Sequence, residues 1–181
     1  MTDVLIVVDM QVGPLDGPPK HDLPGVLDRI NCLAAHVRAR SGRVIYVRHR
    51  GPRGDAYEPG SSAWQFLPEL VRHTDDIVVA KTLNDPFCGT DLKAILDGLL
   101  PERLLVTGWA TDFCVDSTVR SAVSNGQKVV VVADGHTVGD RPHLDARSVI
   151  RHHNWVWKNL IAARPVELVA TDDLLAGFAV G

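Results

Sequence analysis

The sequence predicts an α/β fold: a three-layer, doubly wound, mainly parallel six-stranded sheet with helices on both faces. Three observations support it. Strand-like runs recur six times with helix-length gaps between them. Four of the runs, VLIVV, IVVA, LLVT and VVVVA, are dense in Val, Ile and Leu without polar alternation, as in strands covered on both faces. The gaps carry apolar residues at helical spacing.

In chain order, the first strand is Asp3–Val8. Val26, Leu27, Ile30, Leu33, Ala34 and Val37 then form one face of a helix, with Cys32 among them and Gly42 as the stop. Strands follow at Arg43–Val47 and Asp76–Ala80. Thr90 caps a helix with the stripe Leu92, Ile95, Leu96 and Leu99. After the strand Arg103–Thr107, Thr111 or Asp112 opens a helix with Val115, Val119, Ala122 and Val123 inward, ending near Gly126. The fifth strand is Lys128–Ala133. A long helix from Ala146 to Ile161 stops before Pro165. The strand Val166–Val169 and a short capped helix in TDDLLAG close the pattern. Segments 11–24 and 51–62 are rich in Gly and Pro and read as loops.

Composition narrows the function. A chain of 181 residues fits one domain, taken as 1–181. Acidic residues outnumber basic ones, 22 to 19, with no basic stripe, so nucleic acid is not an expected partner. The opening apolar run, Val4 to Val8, is flanked by Asp3 and Asp9 and is too short for a leader or a membrane span. Three scattered cysteines give no disulfide framework, and a cytoplasmic location is expected.

Ligands of such sheets bind beyond the carboxyl ends of the strands. Asp9 ends the first strand, Lys81 ends the third, and the fourth leads through TGWATDF to Cys114. Each alone is weak evidence: a strand-end Asp usually caps a loop, and a lone Cys is usually a small hydrophobe. Together they make a set for covalent catalysis, with a thiol, a proton carrier and a cation. A helix start and a nearby lysine both favour the thiolate. The glycine of TGWATDFC permits a sharp turn that aims amides at an oxyanion.

The segments VVDMQ, KTLNDPFCGTDL and VTGWATDFCVDSTVRSA resemble the isochorismatase-like cysteine hydrolases, a superfamily that includes nicotinamidases and N-carbamoyl-amino-acid amidohydrolases such as N-carbamoylsarcosine amidohydrolase. The resemblance spans roughly residues 3–170. It implies the strand order 3-2-1-4-5-6, with Cys114 as nucleophile, Asp9 as general acid/base and Lys81 as the third member. It also implies a cis Trp109–Ala110 bond and an oxyanion hole from the Ala110 and Cys114 amides. The stretch after the second strand, YVRHRGPRGDAYEPGSSAWQFLPEL, lacks the Asp-x-His metal motif that nicotinamidases carry there, so the metal-free subgroup, with no cofactor, is expected. Asp85-Pro86-Phe87 stands where relatives often carry Ser-Ala-Phe, and Asp85 is expected to alter the pocket.

Gln11, Trp64, Phe87, Trp109 and His136 are the candidate substrate contacts, although loop fixing suits Gln11 and core packing suits Phe87. Loops 11–24, 51–65 and 134–143 are expected to set specificity. His153 reads as a packed histidine rather than a ligand. An exposed Trp on the long helix, Trp155 or Trp157, would suit a subunit interface, and family members commonly form dimers or tetramers. The predicted activity is hydrolysis of a C–N bond in a small amide, imide or ureido substrate through a thioester. One alternative is an inactive binding or scaffold subunit, which the intact Asp9, Lys81 and Cys114 oppose. Another is a receiver-type phosphoacceptor, which Val8 and Met10 oppose by leaving Asp9 without acidic neighbours. No G-x-G-x-x-G follows the first strand, so dinucleotide binding is not expected.

Overall fold

The computed structural model describes residues 2–177, so Met1 and residues 178–181, at the ends of the expected domain, lie outside the described residues. Six parallel strands form one sheet in the order β3-β2-β1-β4-β5-β6, as predicted. They are β1 Asp3–Val8, β2 Arg43–His49, β3 Ile77–Lys81, β4 Arg103–Trp109, β5 Val129–Thr137 and β6 Glu167–Val169. The helices are α1 Val12–Leu15, α2 Leu23–Ala39, α3 Leu92–Leu99, α4 Asp116–Ser124, α5 Ala146–Lys158 and α6 Thr171–Gly177. A π-helical turn, Thr111–Val115, joins β4 to α4.

The pleat of β1 divides the core. Leu5 and Val7 join Val26, Ile30 and Leu33 of α2 on one face, whereas Val4, Ile6 and Val8 join Leu96, Val119 and Trp157 on the other. Alternate strand residues point to opposite faces, so a continuous apolar run is what a sheet covered on both faces requires.

The structure differs from the sequence reading mainly at the carboxyl ends of the strands. β2, β3, β4 and β5 run past their apolar stretches to His49, Lys81, Trp109 and Thr137. Backbone pairing continues there, as His49 with Lys81 and Trp109 with Thr137. Loops rather than helices cover these residues, so hydropathy no longer reports them as strand. The loop expected at 11–24 holds the single turn α1, too short to show periodicity. The long helix ends at Lys158, not Ile161, which is exposed. Cys32 is exposed rather than inward. Trp157 is buried, Trp155 is exposed, and His153 is half-buried with Nδ1 3.0 Å from the Val149 carbonyl.

Gly108 fixes the entry to the site. Its φ is 119°, and a Cβ there would lie 2.2 Å from the Val8 carbonyl oxygen. No side chain fits between β4 and β1 at this point, and the register of β4 against β5 shifts beside it. Gly108→Ala is expected to lose about 3 kcal/mol or more of stability, read as a lower urea midpoint.

Candidate active site

Asp9, directly after β1, is buried with φ 47°, a left-handed conformation that Asp adopts more readily than most residues. Its amide donates to the Val47 carbonyl at 2.9 Å, which fixes the residue against β2. Lys81 is the last residue of β3, and its side chain is fully buried. β2 separates β3 from β1, and the long lysine stem spans that gap. Its Nζ lies 2.6 Å from Asp9 Oδ2 and donates to Cys114 Sγ at 3.3 Å. The other carboxylate oxygen, Asp9 Oδ1, is buried without a hydrogen-bond partner.

Cys114 stands in the π turn that follows the cis Trp109–Ala110 peptide. The Ala110 carbonyl accepts from the amides of Phe113 and Val115, both at 3.1 Å, and closes the turn. The thiol also donates to Asn84 Oδ1 at 3.6 Å. The expectation of a thiolate is corrected here: the Cys114 thiol is pushed up to about 12. Burial is the largest cause and the Asp9 charge the next, and together they outweigh Lys81. The sequence showed the cation and the helix start. It did not show that the sulfur is sheltered beside a carboxylate.

These groups open into a cavity of about 270 Å³. Asp9, Cys114 and Ala110 line it. Tyr57, Trp109 and Phe113 supply aromatic wall, and Pro14, His49, Asn84 and Arg141 complete it. Arg141 is held by Asp112 through two contacts of 2.8 and 2.7 Å, which raises its pKa. The His49 and Tyr57 rings meet edge to face at 5.6 Å. Burial and the nearby Lys81 lower the His49 pKa, which favours a neutral imidazole.

The structure therefore brings Asp9, Lys81, Cys114, Trp109 and Ala110 together and keeps four candidates off the cavity wall. Gln11 is fully buried, and its amide is engaged at both ends: Nε2 donates to the His49 and Trp64 carbonyls, and Oε1 accepts from the His49 amide. Trp64 stacks under the Arg48 guanidinium, 3.3 Å from its ring centre. Phe87 packs into the core between the sheet and α3. His136 is buried behind the π turn, bound to Thr111 and Asn154. Asp85 also stays off the wall, accepting from the Phe87 amide and the Ser121 hydroxyl and so tying its loop to α4. Sequence reasoning missed His49, Asn84 and Phe113, although the last two lie near Lys81 and beside Cys114. Pro14, Tyr57 and Arg141 fall in the three loops expected to set specificity. Among the described residues, no group of three or more His, Cys, Asp or Glu is placed to hold a metal ion, and no helix is long and apolar enough to cross a membrane.

Fold and site together define a doubly wound α/β protein with a cysteine set against a buried aspartate–lysine pair. A family model, the isochorismatase domain, matches residues 3–157, and the chain belongs to the isochorismatase family. A streptothricin hydrolase from Streptomyces noursei is 32% identical over 139 residues, covering 76% of this chain and 50% of the relative. A ureidoacrylate amidohydrolase from Klebsiella pneumoniae is 30% identical over 153 residues, covering 64% of this chain and 65% of the relative. The chain thus spans about half to two thirds of the length of these two relatives. A solved isochorismatase-family protein from Chromobacterium violaceum superposes with a TM-score of 0.82 at 29% identity, covering 98% of this chain and 94% of that one.

Proposed function

We propose that the chain is a cysteine hydrolase that cleaves a C–N bond of a small amide, imide or ureido substrate through a thioester on Cys114. The observation that carries this reading is the division of labour on Asp9. Lys81 holds Oδ2, while Oδ1 is buried without a partner, and Asp9 and Cys114 line the same cavity. An unpaired buried acceptor beside a protonated sulfur is a base in waiting.

The thiol gives its proton to Asp9 Oδ1 as sulfur adds to the substrate carbonyl. The resulting oxyanion is received by the backbone N–H groups of Ala110 and Cys114. Asp9 returns the proton to the nitrogen, the C–N bond breaks, and ammonia or an amine leaves a thioester on sulfur. Water then gives a proton to Asp9 and adds to the thioester. Loss of the sulfur releases the acid, and Asp9 reprotonates the thiolate. Lys81 holds the carboxylate in place through each half-reaction, and the chemistry written this way uses no metal. The names of the Streptomyces and Klebsiella relatives, a hydrolase and an amidohydrolase, support this class of reaction.

An ammonia-release screen over small amides and ureido acids tests the reading, with Cys114→Ala as control. At least one substrate should be turned over by the wild type and by the variant at no more than about a thousandth of that rate. Equal rates for the two proteins on a true substrate would remove Cys114 from the mechanism.

A further inference from the structure

α5 grips the π turn of the active site at both ends. Asn154 and Trp157 are three residues apart on this helix and so share a face. Trp157, fully buried, donates from its indole N–H to Asp116 Oδ1 at 2.8 Å, directly after the turn. Asn154 reaches the start of the turn through His136. The His136 and Trp157 rings pack edge to face at 5.1 Å, so the two tethers support each other.

The hydrogen bonds fix which nitrogen of His136 carries the proton. Asn154 Nδ2 donates to the Ala133 carbonyl at 3.0 Å. The opposite orientation of the amide would set two acceptors against each other there. Asn154 Oδ1 therefore faces His136 Nε2, at 3.0 Å, and can only accept from it. The proton lies on Nε2, and Nδ1 is left as an acceptor. The Thr111 hydroxyl, 2.9 Å away, must donate to it. Burial pushes the His136 pKa down to about 4, which keeps the ring neutral and this direction intact at neutral pH.

We propose that His136 and Asn154 are positioning residues that hold Thr111, and with it the Ala110 and Cys114 amides, in the geometry that receives the oxyanion. The physical need follows from the turn itself: π turns are rare and occur mostly as single turns within helices, whereas an oxyanion site must be held to a fraction of an ångström. This inference rests on the proposed thioester mechanism, and its test separates the two.

The experiment compares two reactions of Cys114. Acylation by 4-nitrophenyl acetate passes through an oxyanion, and alkylation by iodoacetamide, which displaces iodide, does not. Thr111→Val and His136→Phe are each expected to lower kcat for 4-nitrophenyl acetate about 10- to 100-fold with KM within about twofold. Their iodoacetamide rates should stay within about twofold of wild type, and Thr111→Ser should recover most of the loss. The double variant should be no slower than the slower single one, because both act through one hydrogen bond. Nitrogen NMR of the wild type should find His136 neutral with its proton on Nε2, a readout that needs no variant to fold. A proton on Nδ1, multiplying effects in the double variant, or equal losses in both reactions would overturn the proposal and leave the thioester mechanism standing. Full 4-nitrophenyl acetate turnover by Cys114→Ala would instead overturn the mechanism itself.

Discussion

Lys81→Met is expected to lose about 3–5 kcal/mol of folding stability and all measurable turnover. The lysine side chain is fully buried and ends 2.6 Å from a carboxylate that is itself buried. Methionine fills much of the same volume, so the loss reports charge rather than a cavity. Removing the ammonium strands Asp9 in a poorly hydrated site where its other oxygen already lacks a partner. The carboxyl group is then a buried charge without a counter-ion, no longer held in place beside Cys114. Chemical denaturation at pH 7 checks this. A variant as stable as wild type at pH 7 would show that the ion pair contributes nothing to the fold.

Asp9→Asn should abolish turnover and yet make the sulfur easier to alkylate. The carboxylate charge is one of the causes that push the Cys114 thiol up to about 12, and Lys81 acts in the opposite direction. With the carboxylate gone, burial alone still opposes the lysine charge, so the thiol pKa falls and more thiolate is present at pH 8. Iodoacetamide should therefore label Cys114 faster in Asp9→Asn than in wild type at that pH. Amide hydrolysis should still fall by about a thousandfold or more, because the leaving nitrogen has lost its proton donor. Mass spectrometry of the peptide bearing Cys114, run beside the ammonia assay, reads both effects. Slower labelling together with lost turnover would mean that Asp9 promotes the thiolate in the resting protein, contrary to the electrostatics above.

The residues proposed to react could be picked out because strand ends are legible. Asp9 and Lys81 directly follow or end apolar runs, and Cys114 follows a Gly-containing turn at a strand's exit, so topology alone placed all three on one edge. The walls were harder to read. Tyr57 and Arg141 sit in irregular segments whose paths depend on long-range contacts, such as the Gln11 amide bonded to the His49 and Trp64 carbonyls. His136 was placed on the correct edge but assigned the wrong neighbours, since the extension of β5 to Thr137 and the position of Asn154 on α5 decide what the ring meets. The thiol's protonation was misread because burial, a property of the whole fold, outweighs the helix start and the lysine.

The reach of Lys81 across the gap between β3 and β1 sets the proposed chemistry apart from selectivity. Lys81 ends β3 and Asp9 directly follows β1, the two strands flanking β2, while Tyr57, Pro14 and Arg141 come from segments outside the sheet. If the proposed reaction holds, exchanging those wall residues changes which molecule is admitted without touching Asp9, Lys81 or Cys114. New substrate preferences then arise by small steps in these segments, each leaving the proposed reaction centre as it was.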